Sequence, residues 1–477
     1  MNYKKQSNFD LNIYFEGDHF AFDSERPCEY TFDEYFENLY QVTLDILHGY
    51  KKNDPVAVQN GLFEIKSYEI QSIDLQRRIM EVIIENQLVP ILINLINIFP
   101  IELYNETNDS RIESQIVDLS FRTLLIFVLH NKLFSAELLK MNFFEHFKKS
   151  FCYYSNVAQA FGFYLLSELV ARANDVQIHG LLKQGIVTFS FMNLDDPLNE
   201  QNNVLKTAIY YFILNLMRKH PKPNCQSGID KTISRTMSLF NYYQNSTLSQ
   251  RNVLLMTFNV ICERFSFVCT VFQTDQKLIS TLIRVFQSSD DFLIQNCLIL
   301  IGTILQQSSF ESAYNIIKLI PWERLTRIFD GNNKWSMDFL LLVNIFSTNV
   351  NFIQFLFLKN VYQSFITKYS TFPFEIFGKI FAILNIVVQN GTNEQNVILL
   401  NNGFIKLLLN IFEINNEDII KTLCLCFDSF CMKISQTDQF TKLVNDFIHE
   451  DGFEVISSID NYIPIIEICK KYGIVKE

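Results

Sequence analysis

An apolar helical run ending in a polar residue returns along this chain at one register: Leu214-Asn215, Gly302-Thr303, Val343-Asn344 and Leu384-Asn385. Asn215 to Asn344 spans 129 residues and Asn344 to Asn385 spans 41. With 129 taken as three units, the period is about 43 residues, within the ~40–47 typical of helical solenoid repeats. A repeat of that length cannot bury its own apolar face, so the chain is constrained to stack such units into a quasi-linear array. Stacking gives the equivalent helix of every unit one orientation, and a polar residue returning at one register then lines a single surface. Function is expected on that surface.

Length and composition agree. At 477 residues the chain exceeds the size at which one compact core stops growing. Hydrophobic residues make up 48%, while Gly and Pro number only 14 and 10, which suits long helices with short joints and leaves little room for the turns of an all-β protein. From about Tyr40, apolar residues recur at i, i+3, i+4 and i+7 through Ile116–Leu129, Val157–Val170, Val204–Met217, Val253–Phe265, Phe292–Leu305 and Ile376–Val388. Between helices lie Asn/Gly breaks at Asn86-Gln87, Gln184-Gly185 and Asn402-Gly403, where a residue with positive φ closes one helix as the next begins. The expected fold is all-α, a solenoid of armadillo or HEAT repeats over residues 41–477. Residues 1–40 are expected to form an acidic, partly flexible leader, with Asp10, Glu16, Asp18, Asp23, Glu25, Glu29, Asp33, Glu34 and Glu37 against Lys4, Lys5 and Arg26.

Other classes fit poorly. The ten cysteines contain no CxxC pair and no CxxC…HxxxH arrangement, so they are expected to be buried free thiols in a reducing compartment, with no secretory signal and no metal site. The apolar stretches Leu88–Pro100 and Phe352–Leu358 are too short to span a bilayer, so no membrane partner is expected. A net charge of −11 argues against a nucleic-acid coat and permits a basic partner. There is no P-loop, GxSxG or HExxH, and the seven histidines lack ligand or triad spacing. A non-catalytic protein without a cofactor is expected.

Several segments carry a family resemblance. Asn215-Leu216-Met217-Arg218-Lys219-His220-Pro221-Lys222-Pro223 resembles the segment that closes a central armadillo repeat of importin alpha. Ile294-Gln295 through Gly302-Thr303-Ile304, Gly403–Leu409 with Glu413-Ile414, and Glu450–Ile456 are similar to later repeats of that family, in the right order and spacing. The resemblance implies an armadillo-repeat right-handed superhelical solenoid of about nine to ten three-helix repeats, and an adaptor that binds extended, basic localisation segments of cargo proteins in a concave groove for nuclear import, shuttling between cytoplasm and nucleus. Importin beta would be a further partner, although no basic amino-terminal docking segment is visible.

In that family a Trp and, one helical turn later, an Asn on the third helix of each repeat do the reading. The i, i+4 spacing puts both on one face, the amide addressing peptide backbone and the rings making slots for Lys and Arg stems. Here the Asn is kept at Asn215, Asn344 and Asn385, and the Trp at none of these repeats. The expected peptide-binding residues are Ser167, Tyr211, Asn215, Thr303, Asn344, Phe381 and Asn385. Trp322 and Trp335 are out of register. The alternative is an armadillo scaffold that has lost the basic-signal reader and holds protein partners in an assembly.

Overall fold

The computed structural model describes residues 31–65, 73–98, 108–220, 231–412, 417–458 and 463–475. All regular structure among them is helical. The chain divides into two compact units, Met1–Phe265 and Ser266–Glu477, each a stack of short-short-long helix triads.

The first unit opens with helices Phe32–Lys52 and Pro55–Glu64. A capping box starts the former: Thr31 Oγ1 accepts from the Glu34 amide and the Glu34 carboxylate accepts from the Thr31 amide at 2.8 Å. The chain is thus helical from Phe32, inside the span expected to be a leader, whose first thirty residues lie outside those described. The first triad is Ile73–Glu85, Leu88–Ile98 and a long helix α1, Asn108–His130. Lys132–Lys140 and Phe143–Ser150 lead into α2, Asn156–Arg172. Asp175–Lys183 and Ile186–Asp195 lead into α3, Asn203–Lys219. Lys231–Ser238 and a 3-10 turn, Leu239–Asn245, lead into α4, Leu248–Arg264.

The second unit repeats the pattern four times and closes with a triad whose last helix is short. Ser266–Thr274 and Gln276–Val285 precede α5, Asp291–Gln306; Phe310–Ile317 and Trp322–Ile328 precede α6, Ser336–Ser347. Val350–Leu358 and Val361–Lys368 precede α7, Phe374–Asn390; Asn393–Asn401 and Phe404–Phe412 precede α8, Glu417–Ile434. Phe440–His449 and Gly452–Ser457 precede α9, Ile463–Lys471. Asn215, Thr303, Asn344 and Asn385 accordingly sit on the third, fifth, sixth and seventh long helices. The 129-residue step is three repeats.

Most of the positive φ values lie at joints between the two short helices. Gln87, Asn142, Gly185, Asn360, Gly403 and Asp451 all adopt left-handed backbone there, with φ between 51° and 89°. At Gly185 (82°) and Gly403 (89°) the missing Cβ removes the steric penalty. The Asn and Asp positions tolerate the same conformation through their short polar side chains.

A second device ties several triads to the one before. The last turn of a helix leaves orphan carbonyls and a partial negative charge, and cations from the equivalent helix of the next triad meet them. Arg172 of α2 donates to the Leu129 carbonyl of α1 at 3.2 Å, and Arg264 of α4 to the His220 carbonyl that follows α3 at 2.5 Å. Arg324 donates to the carbonyls of Phe286, Gln287 and Ser288 at 2.7, 3.1 and 3.2 Å. Lys368 reaches those of Thr326 and Arg327 at 2.8 and 3.1 Å, and Lys433 of α8 that of Gln389 in α7 at 2.9 Å. These bonds fix the stacking register along with apolar burial.

Among the eight described cysteines, all except the exposed Cys152 are buried, as expected apart from that one. Burial pushes the Cys426 and Cys469 thiols up to about 12, which disfavours the reactive thiolate. The described residues hold no group of three or more His, Cys, Asp or Glu able to bind a metal. No single helix among them is long and apolar enough to cross a membrane.

Candidate functional site

In the first unit the expected site residues face one another. α2 is buried without a break from Ala158 to Val170, and α3 from Thr207 to Met217. Within this contact the Asn215 amide nitrogen donates to the Ser167 hydroxyl at 2.9 Å, and its oxygen accepts from Arg218 at 3.1 Å. Ser167 and Asn215 are each 2% exposed. Tyr211 packs against Tyr164 with ring centroids 6.2 Å apart, and burial pushes its hydroxyl up to about 12, opposed by the Arg218 charge. Ser167, Tyr211 and Asn215 are brought together, in a closed helix–helix contact whose amide is already engaged. Asn215→Ala should therefore lower stability by about 1–3 kcal/mol, the cost of leaving a buried polar group unpaired. A urea midpoint unchanged within error would refute the structural role.

In the second unit the register residues point differently. α5, α6, α7 and α8 pack in succession, and each keeps a strip of exposed and half-exposed positions. Thr303, Asn344 and Asn385 lie on these strips, half-buried. Thr303 Oγ1 donates to the Ile299 carbonyl of its own helix at 3.0 Å, which leaves its oxygen able to accept. Asn385 Oδ1 accepts from Gln389 one turn on at 3.1 Å, with Nδ2 uncommitted. The Asn344 amide has no hydrogen-bond partner among the described residues. Two amides 41 residues apart are thus presented to solvent. Phe381, at 7% exposure, is instead part of the wall beneath, so its ring face is not offered to a lysine stem.

Neighbouring strips are joined edge to edge. Gln295 of α5 donates to Asp338 of α6 at 2.9 Å, and the indole N–H of Trp335, just before α6, donates to Asp291 of α5 at 3.0 Å. Lys433 joins α8 to the end of α7. Both tryptophans are buried, Trp322 donating its indole N–H to the Ile317 carbonyl at 3.0 Å. They are structural residues.

Burial holds the Asp338 carboxyl above its ordinary value of 3.8, with the Gln295 bond opposing. A folded value above the unfolded one means that the folded state binds this proton more tightly. The contribution is fully present below 3.8 and is lost as pH rises through the window just above it. Asp338→Asn keeps an acceptor for Gln295 and removes the desolvated charge. The variant should unfold at higher urea than the wild type at pH 7, with the gap closing towards pH 4. A gap that widens on acidification would contradict the assignment.

The strips also carry side chains that the register argument passed over. Met337 and Leu341 precede Asn344 by seven and three residues on one face of α6 and are 41% and 40% exposed. Phe292 on α5, Phe374 on α7, and Leu425 and Met432 on α8 are exposed as well. The signal was present in Ser336–Ser347, whose apolar residues run around the whole helix instead of along one side.

No protein-family model matches this chain, and no curated protein matches it. Among solved structures it is similar to an engineered protein from a structural genomics programme, with a TM-score of 0.59 and 13% identity, covering 92% of this chain and 97% of that one. The chain has an armadillo-type fold. A designed armadillo repeat protein is also similar over 50% of this chain and 96% of its own, at 13% identity and a TM-score of 0.37. At 13% identity the first of these likenesses speaks for the fold alone.

Proposed function

We propose that this protein is a non-catalytic, protein-binding solenoid whose second unit takes an extended segment of a partner protein along the strip of α5 to α8. The observation that carries the reading is the pair Asn344 and Asn385, equivalent positions with amide donors left uncommitted. An extended peptide exposes a backbone donor and acceptor at alternate positions, which a side-chain amide matches with its own acceptor and donor. Thr303 supplies an acceptor one repeat earlier.

Panning a random peptide library against the full chain and against Asn344→Ala/Asn385→Ala tests this directly. At about 1 kcal/mol per hydrogen bond, and with about 1.4 kcal/mol per decade, selected peptides should bind the double variant at least about tenfold more weakly. Equal binding to both proteins would overturn the reading.

The importin-alpha-like reading, a nuclear import adaptor for basic segments acting with importin beta between cytoplasm and nucleus, is favoured by the same two amides. Against it stand the absence of tryptophan at the slot positions and the burial of Phe381. It requires salt-sensitive binding of a Lys/Arg-rich localisation peptide, lost in the same double variant.

A further inference from the structure

We propose that the first unit carries a small-molecule site of its own: a pocket for one neutral aromatic ring bearing a hydroxyl, a ligand of phenol size.

The pocket, of about 140 Å³, opens among helix Phe143–Ser150, α2 and helix Asp175–Lys183. Its apolar lining is Phe143 and Phe144, Leu166 and Leu169 of α2, and Leu181, all buried. Gly180 also lines it, and a Cβ built there would meet no heavy atom within 4 Å. Gly180 stands five residues before the left-handed Gly185, and at the same distance from their own left-handed joints the other triads carry Val82, Glu137, Phe355, Ile398 and Asp446. The third triad thus departs from the others by leaving this position without a side chain, and the space that a side chain would occupy is part of the pocket.

Volume and lining set the ligand class. A drug-sized molecule needs a pocket of ~300–1,000 Å³, whereas an apolar cavity of ~150 Å³ takes benzene, so a single ring is what fits. No charged side chain lines the pocket, and burying an ion without a partner is costly, which makes the ligand neutral. The remaining lining groups are three side-chain amides, Asn142, Gln177 and Gln184. The Asn142 and Gln184 amides form no hydrogen bond among the described residues. Gln177 spends its oxygen on the Asn174 amide at 2.9 Å and keeps its donors. Apolar walls with a few uncommitted polar groups are the usual make-up of a ligand site, and a hydroxyl, which both donates and accepts, matches an amide in either orientation.

The test titrates 4-fluorophenol and 4-fluorotoluene against the full chain by fluorine NMR. Both should bind saturably, with dissociation constants in the millimolar range set by so few atoms. Gly180→Leu fills the space and should abolish binding of both, while its melting temperature should be no lower than that of the wild type, because Leu is the better helix former. Gly180→Met repeats the block with a more adaptable side chain should the Leu variant not fold. Asn142→Gly/Gln184→Ala, which keeps a residue suited to the left-handed backbone at 142, should weaken 4-fluorophenol about fivefold, the share of one hydrogen bond, and leave 4-fluorotoluene unchanged. Absence of saturable binding by the wild type, or binding that survives a folded Gly180 variant, overturns the site. Equal loss of both ligands in the amide variant, or no loss of 4-fluorophenol, overturns the hydroxyl assignment.

Discussion

Phe147→Ala should lower the stability of the first unit by about 3–5 kcal/mol, the range for deleting a fully buried aromatic ring. Phe147 has no exposed surface and stands at the centre of an aromatic cluster. Its ring lies 5.7 Å from Phe121 of α1, 5.6 Å from Phe163 of α2, 5.3 Å from Phe151 and 6.0 Å from Phe189, mostly edge to face. Offset and edge-to-face pairs of this kind add about 0.5–1.5 kcal/mol beyond area burial. Collapse into the hole is hindered, because α1 and α2 are held by their own packing and by the Arg172 bond to the Leu129 carbonyl. Gly162 of α2 marks how close the approach is: a Cβ built there would overlap the Phe147 ring. Urea unfolding followed by circular dichroism, with hydrogen exchange at α1 and α2, measures the loss. A cost under about 1.5 kcal/mol, less than the transfer term for one buried ring, would mean that the cluster is not the packing centre described.

Trp335→Ala should have a comparable effect in the second unit, again about 3–5 kcal/mol. Trp335 is wholly buried, packs on Phe329 and Phe339 with centroids 6.1 and 5.8 Å away, and donates its indole N–H to Asp291. It therefore joins the starts of α5 and α6 by packing and by a hydrogen bond to a carboxylate. Trp335→Phe separates the two contributions. That variant keeps much of the apolar contact and loses the bond, so about 1.5–3 kcal/mol should be lost, the value for hydrogen bonds to charged groups. Trp322 is the other tryptophan of the chain and remains as a fluorescence reporter in the same unit. Equal losses for the Ala and Phe variants would show that the bond to Asp291 dominates over packing.

Much of the fold was legible because its signals are local. The i, i+3, i+4, i+7 pattern located the long helices, and the six periodic segments all fall on α1 to α5 and α7, save that α4 stops at Arg264. Gly185 and Gly403 announced their joints, since positive φ has a residue preference readable from sequence. Asn142, Asn360 and Asp451 make the same turn with a weaker signature. The cations that meet carbonyls of the preceding triad were not legible. Nothing in the neighbourhood of Arg324 distinguishes it from a solvated charge, and its partners lie 36 to 38 residues away.

The candidate site divides along the same line. Repeat length, all-helical architecture and the register that places Asn215, Thr303, Asn344 and Asn385 at related positions of long helices were all readable from the residues alone, because periodicity and turn chemistry act over a few residues. Which of those groups reach solvent depends on how the helices pack. α2 and α3 are buried through continuous runs, and there Asn215 is locked to Ser167 and Arg218. α6 and α7 retain exposed strips, on which Asn344 and Asn385 keep free donors beside Leu341 and Phe374. Exposure is a property of what packs against a residue from some 40 positions away, and helical spacing assigns a side chain to a face without saying whether another helix covers it.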